Sequence, residues 1–247
     1  MGYKIEIACV THTGYVREKN EDSFYVDGLF PDQKHGNMSK PLQDIFFTDM
    51  LKTVAVFDGL GGENAGEAAS YTAAQKLSEL CQIEKIKKTD IMHMMRTMNK
   101  AVCSKAEQDG LGQIRTTATI LFFQDQYAYV ANVGDSPVYI LRKGRLKFIA
   151  EKHTDGEILK PSLTQCLGIP EEELLIEPYI AGIEIQVGDV FLICSNGLTD
   201  MLREVQIRKI LKKRWPAFRM AKQLLSKALE NGGFDNITAI CCKVVKS

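Results

Sequence analysis

The chain has 247 residues, of which 45% are hydrophobic and 25% charged, a composition that excludes disorder and supplies enough apolar material for a full core. Lysine plus arginine and aspartate plus glutamate each total 31, so the net charge gives no indication of nucleic-acid or anionic-membrane binding. No basic segment followed by an apolar run begins the chain, and no stretch reaches the roughly 20 apolar residues of a membrane span. We therefore expect a single domain over residues 1–247, in a soluble protein that stays in the cytoplasm.

The first half of the chain predicts three short strands before any helix. They are apolar runs at 5–10, 23–26 and 53–57. Residues 28–52 contain prolines, glycines and mixed polar residues without a clear period. This pattern predicts a long loop or a partly ordered insertion.

Two helices are predicted next, at 64–80 and 89–107. One face of the second helix is apolar and rich in methionine: Ile91, Met95, Met98 and Val102. Such a stripe is typical of core packing rather than of a binding groove, so we expect these side chains to be buried.

The second half predicts mostly strands. The strands are 116–123, 127–133, 138–141, 145–150, 183–185, 190–195 and 237–244. Residues 116–150 are predicted to form an antiparallel meander with a hairpin turn at Lys143 and Gly144. A helical region over 204–230 is interrupted near Pro216. Strand runs alternating with helix pairs indicate an α+β sandwich.

The cysteines and a cluster of basic residues each lead to a prediction about the structure. The seven cysteines are odd in number and form no CxxC pair, so we expect reduced, mostly buried thiols, with Cys241 and Cys242 on opposite faces of a strand. Basic residues crowd the late helical region: Arg208, Lys209, Lys212, Lys213, Arg214, Arg219 and Lys222. A solvated helix face is the favoured interpretation, and a docking patch is the alternative.

The segment that most strongly indicates chemistry is Asp-Gly-Leu-Gly-Gly at 58–62, directly after a predicted strand. The carboxylate of Asp58 is thereby held at a strand end. Glycines leave backbone carbonyls uncovered, so the carbonyl of Gly59 can join that carboxylate as an oxygen ligand for Mg²⁺ or Mn²⁺. An ordinary Asp-Gly turn is the alternative.

Polar side chains at other strand ends weigh against an ordinary turn. They include Arg17, Asn20, Glu21 and Asp22 before one strand, Asp135 after another, and Asp235 and Asn236 before the last. In addition, Ser-Asn-Gly-Leu at 195–198 repeats the pattern of Phe-Asp-Gly-Leu at 57–60. We expect these groups to converge on one site.

Taken together, these motifs resemble the metal-dependent protein phosphatases, the PPM or type-2C family, and especially its compact bacterial members. The matching segments, in the family's order, are 11–22, 58–67, 132–136, 188–200 and 233–238. The resemblance covers nearly the whole chain. It implies a four-layer α/β/β/α sandwich of two antiparallel sheets flanked by helices.

The resemblance also implies roles for individual residues. Asp58 would bridge two cations, Mn²⁺ or Mg²⁺, with Gly59 giving its carbonyl to one and Asp235 binding the other. Asp22 and Glu21 would act directly or through water, and Asp135 would help to hold a third, weaker metal. Two cations about 4 Å apart can ionise a bridging water to a hydroxide that attacks phosphorus.

Arg17 matches the family's phosphate-binding position, and its planar fork of donors suits two phosphate oxygens. A surface ion pair with Glu21 or Asp22 is the alternative. The implied reaction is hydrolysis of phosphoserine and phosphothreonine in proteins. The implied partners are those phosphoproteins and a cognate serine/threonine kinase, with neither nucleic acid nor membrane expected.

Three departures from the family pattern stand out. Asn196 occupies the place of a metal-ligand aspartate. Its amide oxygen can coordinate a cation but carries no charge, so we expect lower metal affinity and reduced phosphatase activity. Leu60 and Glu63 stand where various members have a histidine that protonates the leaving group, and no histidine of this chain is assigned that role. The flap at about 152–163 is short, so substrate selection is expected to differ.

The rival hypothesis is a pseudophosphatase that binds phosphoproteins or a partner without turnover because of Asn196. A calcium-binding module and a P-loop nucleotide hydrolase are disfavoured, because the chain lacks the D-x-[DN]-x-[DN]-G and G-x-x-x-x-G-K-[ST] patterns.

Overall fold

The computed structural model describes residues 2–60, 65–155 and 162–246. Its larger sheet has six antiparallel strands. In chain order these are β1 (Lys4–His12), β3 (Leu42–Phe47), β9 (Val138–Arg142), β10 (Arg145–Phe148), β12 (Val190–Cys194) and β13 (Ile237–Val245). Their order across the sheet is β10-β9-β12-β13-β1-β3, so β10 and β3 are the edge strands.

The second sheet has five antiparallel strands, ordered β11-β8-β7-β4-β2. In chain order these are β2 (Ser23–Val26), β4 (Lys52–Phe57), β7 (Ala118–Gln124), β8 (Tyr127–Val133) and β11 (Tyr179–Glu184). A two-stranded ribbon, β5 (Gly59–Leu60) with β6 (Arg115–Thr116), lies beyond the end of β4.

Two groups of helices cover the outer faces of the sheets. The helices are α1 (Gly66–Leu80), α2 (Lys88–Gln108), α3 (Asn196–Met201), α4 (Glu204–Leu211) and α5 (Ala217–Glu230). The first two pack on the five-stranded sheet and the other three on the six-stranded sheet. The predicted four-layer α/β/β/α sandwich is therefore confirmed. No helix in the described ranges has both the length and the apolarity that a membrane span requires.

Burial on both faces explains why the central strands are continuous apolar runs. In β7, Ile120 and Phe122 face the helices while Leu121 and Phe123 face the other sheet. The methionine stripe of α2 is buried, as predicted. All seven cysteines are free. Cys241 and Cys242 lie on opposite faces of β13, also as predicted.

Two predictions about the fold are wrong. The long loop expected as one alternative for 28–52 is wrong, because the stretch contains β3, paired antiparallel with β1; the other alternative, a partly ordered segment, is compatible with this strand. This edge strand buries only Phe46, so it lacks the apolar pattern that would have identified it. The predicted meander over 116–150 also fails, since β7 and β8 pair in one sheet while β9 and β10 pair in the other. The chain crosses between the sheets at 134–137.

Several sequence predictions fall on residues outside the described ranges. They are Gly61, Gly62 and Glu63, the predicted helix start at Asn64, and most of the flap, at 156–161. On either side of this last gap, Thr154 and Leu163 form an isolated β-bridge.

Candidate metal centre

Asp58 is fixed at the end of β4 by its own backbone. Its N–H donates to Thr117 Oγ1 at 3.0 Å, and its carbonyl accepts from Thr117 N at 2.9 Å. The residue is 8% exposed. The backbone N–H of Asn196 donates to Asp58 Oδ2 at 3.3 Å, which joins the two turns that the sequence pattern pairs.

Gly59 allows the close approach of three segments next to Asp58. Its N–H donates to the carbonyl of Glu21 at 3.2 Å. A Cβ atom at this position would overlap the carbonyl oxygens of Glu21 and Gly66. Only glycine fits here, and its own carbonyl stays uncovered by a side chain.

Asn236 clamps the loop that carries Arg17, Glu21 and Asp22. Its Oδ1 accepts from the N–H of Glu21 at 2.7 Å, and its Nδ2 donates to the carbonyls of Thr13 and Lys19, each at 2.8 Å. The sequence analysis used Asn236 only as part of a motif and missed this positioning role. The sequence feature that could have indicated this role is the asparagine in the turn between Asp235 and the last strand. The side-chain amide of an asparagine in a turn can form hydrogen bonds with the backbone of a neighbouring loop.

Arg17 pairs with Asp235, with Nη2 2.9 Å from Oδ2. The predicted alternative, an ion pair with Glu21 or Asp22, is therefore not what the structure shows. The hydrogen bond to Asp235 raises the pKa of Arg17, which stays charged. The guanidinium is half exposed, so donors remain available for a ligand.

Asn196 begins the short helix α3, where the sequence predicted only a turn. Its side chain lies near the carboxyl of Asp135. Burial raises the pKa of Asp135, while a hydrogen bond from its own backbone, Lys152 and Asn196 oppose the rise. An aspartate in place of Asn196 would set a second carboxylate near Asp135, and a bound cation or protonation of one carboxyl would relieve the repulsion.

Burial and mutual repulsion dominate the electrostatics of the centre. Burial raises the pKa of Asp58 well above its usual range, and Asp22, Asp135 and Asp235 raise it further. Burial likewise raises the pKa of Asp22 to about 7, against hydrogen bonds from Thr238 and Ser195. Oδ2 of Asp22 and Oδ1 of Asp135 are buried without a hydrogen-bond partner in the described part of the chain. Repelling carboxylates with unpartnered oxygens are the arrangement that a bound cation stabilises.

The structure links the predicted site residues through pairwise contacts. Arg17 pairs with Asp235, Gly59 bonds to Glu21, and Asn196 bonds to Asp58. Asp22 and Asp135 lie close enough to Asp58 to raise its pKa. Within the described ranges, no three His, Cys, Asp or Glu side chains already converge as a metal cluster. The donors that these residues offer in pairs are carboxylate, amide and carbonyl oxygens, the set that hard cations such as Mg²⁺ and Mn²⁺ prefer. The residues present fit such ions.

Two of the four histidines hold backbone near the centre. Nδ1 of His12 accepts from the N–H of Gly14 at 2.9 Å, and Nδ1 of His153 accepts from the N–H of Gly134 at 3.1 Å. Burial lowers the pKa of both rings, which keeps them neutral acceptors. In these contacts both rings hold turns of the backbone in place.

Comparisons with known proteins agree with this geometry. The profile of the family described as Protein phosphatase 2C matches residues 48–159. The serine/threonine phosphatase stp of Listeria monocytogenes is 30% identical over 255 residues, covering 93% of this chain and 92% of its own. The serine/threonine protein phosphatase PstP of Mycobacterium tuberculosis is 28% identical and covers 98% of this chain, which matches 45% of PstP.

A crystal structure of the PstP catalytic domain in complex with 2 manganese ions superposes with a TM-score of 0.77 at 27% identity. The match covers 98% of this chain and 100% of that one. Similarity at this level along nearly the whole length, on the same fold, means that the chain belongs to the protein phosphatase 2C family.

Proposed function

We propose that this chain hydrolyses phosphoserine and phosphothreonine in proteins with the help of two divalent cations, Mn²⁺ or Mg²⁺. The observation that carries the proposal is the group of buried, mutually repelling carboxylates around Asp58, set beside an arginine with free donors. The relatives with this fold are named serine/threonine phosphatases. None of the compared proteins supports the pseudophosphatase alternative.

The ligands of the two cations would be Asp58, the carbonyl of Gly59, Asp235 and Asn196, with Asp22 and Glu21 bound directly or through water. Asp135 is the proposed ligand of a weaker third ion. Bound cations of this kind activate water at neutral pH and offset phosphate charge. The protein fixes the donors in place through the clamp at Asn236 and the anchored backbone of Asp58.

Arg17 would bind the phosphate of the substrate. Its ion pair with Asp235 is solvent-exposed, and such pairs contribute at most about 1 kcal/mol. Exchange of Asp235 for a phosphate therefore requires little energy, and the guanidinium can bind two phosphate oxygens at once. If a cation held the carboxylate of Asp235, the donors of Arg17 that now bind it would be free for the substrate.

Asn196 is expected to weaken metal binding without abolishing it, because the carboxylates of Asp22, Asp58 and Asp235 all remain. We further propose that residues 1–247 act as one phosphatase domain in the cytoplasm, opposite a cognate serine/threonine kinase. The seven free cysteines support a reducing compartment.

The test is phosphate release from a phosphothreonine peptide by three variants, with Mn²⁺ or Mg²⁺ supplied. Asp58→Asn should reduce kcat at least a hundredfold, since it removes the central ligand, whereas Asn196→Asp should lower the Mn²⁺ concentration needed for half-maximal rate. Asp49→Asn, at an exposed position away from the centre, is the matched control and should behave as wild type. Turnover unchanged by Asp58→Asn would overturn the proposal.

A further inference from the structure

A groove of about 800 Å³ lies at the end of the six-stranded sheet away from the candidate metal centre. The β9–β10 hairpin, the start of β12, the end of β13 and the end of α4 form its walls. Asp189 precedes β12 and lines the groove, whereas Asn196 follows β12 at the metal centre. At ~3.3 Å per strand residue, the two sites are about 20 Å apart.

The groove is strongly basic although the whole chain is neutral. Nine of its twenty lining residues are lysine or arginine, and only Asp189 is acidic. Within the described ranges, Arg145, Lys212 and Arg214 form no ion pair with an acidic side chain. Crowded like charges repel one another and destabilise a compact fold, a penalty that a bound anion removes.

Part of this charge is held rigidly in place. Arg142 Nε and Nη2 donate to the two carboxylate oxygens of Asp189 at 2.9 and 2.6 Å, and Asp189 itself is 1% exposed. Arg208 Nε donates to the carbonyl of Gly144 at 2.7 Å, which ties α4 to the hairpin and leaves its terminal nitrogens available. The basic residues of the late helical region are therefore not only a solvated helix face. They line one concave surface together with basic side chains of the β9–β10 hairpin, which is distant in the sequence.

The base of the groove is apolar but almost closed to solvent. Leu141, Val190, Leu211 and Val244 line it, and each is at most 6% exposed. Val187, which is 59% exposed, presents an apolar side chain in the groove. A second cavity of about 600 Å³ shares Arg142, Lys143 and Arg145 with the first and continues along the edge strand β10 toward β11. Ile140 of the second cavity packs between the sheets, whereas Leu141 of the first packs under the helices, so the two cavities lie on opposite faces of the β9–β10 hairpin and share its basic residues.

This combination fits an extended acidic peptide better than other polyanions. No aromatic side chain is among the described residues that line either cavity, and the ring of neighbouring Trp215 is already packed against Lys213 and Arg219 at 4.1 and 4.4 Å. Bases of a nucleic acid would therefore find no free ring to stack on. The surface is concave, whereas membrane-binding basic segments present protruding apolar and basic side chains. Carboxylates, by contrast, pair well with arginine forks, and apolar side chains between them can contact Val187 and the aliphatic stems of the lysines and arginines.

We propose that this groove docks an Asp- and Glu-rich segment of the phosphoprotein substrate, remote from the phosphorylated residue. The identity of the partner rests on the proposed phosphatase function. A flexible linker of about 12 residues has a root-mean-square span of roughly 20 Å, so one substrate chain can reach the groove and the metal centre together. Docking there would select substrates without touching the reacting phosphate.

Binding is tested without catalysis, by fluorescence anisotropy of a labelled peptide of alternating Glu and Leu residues. Arg145→Glu combined with Lys212→Glu should weaken binding tenfold or more. Lys85→Glu combined with Lys88→Glu makes the same charge change at exposed positions on the other side of the fold and should weaken binding less than twofold. Equal affinity in wild type and the groove variant would overturn the proposal, as would tighter groove-dependent binding of a single-stranded oligonucleotide or of phosphatidylserine vesicles.

Substrate docking is tested by kinetics with two phosphothreonine peptides that differ only in a tract placed 12 residues away, either six Glu or six Gln. Wild type should show a severalfold lower KM for the Glu peptide at equal kcat, and the groove variant should show no difference. Turnover of both peptides with equal KM in wild type would overturn substrate docking. No turnover of either peptide would instead contradict the phosphatase function, while the anisotropy result would still decide whether the groove binds acidic peptides.

Discussion

The buried carboxyl of Asp22 should make the metal-free protein less stable as the pH rises. Its pKa is about 7 in the folded protein, against 3.8 for an ordinary aspartate, because burial disfavours its charged form. Folding therefore takes up a proton between these two pH values, so stability is greatest below the unfolded pKa and is lost as the pH approaches 7. At 1.36 kcal/mol for each pH unit between the two pKa values, the loss is on the order of 4 kcal/mol.

Asp22→Asn should abolish this contribution, since an amide has nearly the same shape and does not ionise. Measured by urea unfolding in EDTA, the variant should match wild type near pH 4 and exceed its free energy of unfolding by ~4 kcal/mol at pH 8. Asp49→Asn, at an exposed position, should give the same difference from wild type at both pH values. If the difference between Asp22→Asn and wild type did not change with pH, the argument that Asp22 is held in a site built for a cation would be refuted.

Three further predictions concern single side chains. Gly59→Ala should abolish phosphatase activity and lower the free energy of unfolding by ~1–3 kcal/mol in urea, because the new Cβ would overlap the carbonyls of Glu21 and Gly66. Wild-type activity in this variant would contradict the close packing of these three backbone segments. Asn236→Ala should reduce stability by about 1–3 kcal/mol and raise KM for a phosphopeptide, since it leaves the N–H of Glu21 without a hydrogen-bond acceptor. An unchanged KM would show that Asn236 does not position the loop that carries Arg17 and Glu21. Phe122→Ala, which opens a cavity under the helices, should destabilise by ~3–5 kcal/mol and leave KM unchanged in the protein that remains folded.

Local apolar pattern predicted most of the fold but not the sheet to which each strand belongs. Strands such as β7 are buried on both faces, and their unbroken apolar runs are visible in the sequence. The edge strand β3 was missed because solvent covers most of its side chains. The crossing at 134–137 was missed because a short turn has the same sequence features in two cases. In one case the next strand pairs with the preceding strand, and in the other it joins the facing sheet.

The candidate site was predictable because its donors follow strand ends in recognisable motifs. The electrostatics of the site were not predictable, since the raised pKa of Asp58 depends on burial and on carboxyl groups that are far away in the sequence. The position of Arg17 against Asp235 likewise depends on how two distant loops meet. The sequence offered a docking patch at the late basic run only as an alternative. It could not show the groove, because the hairpin at Lys143 and the end of α4 become neighbours only in the fold.

Metal-dependent turnover by the wild-type chain tests the central claim most directly. Protein stripped with EDTA and then titrated with Mn²⁺ would be assayed for phosphate release from a phosphothreonine peptide. We predict no release before Mn²⁺ is added and a saturable rise in rate as it is added, with saturation at Mn²⁺ concentrations that fall in the Asn196→Asp variant. Release that persists in EDTA, or no release at any Mn²⁺ concentration by a protein that unfolds cooperatively, would contradict the claim.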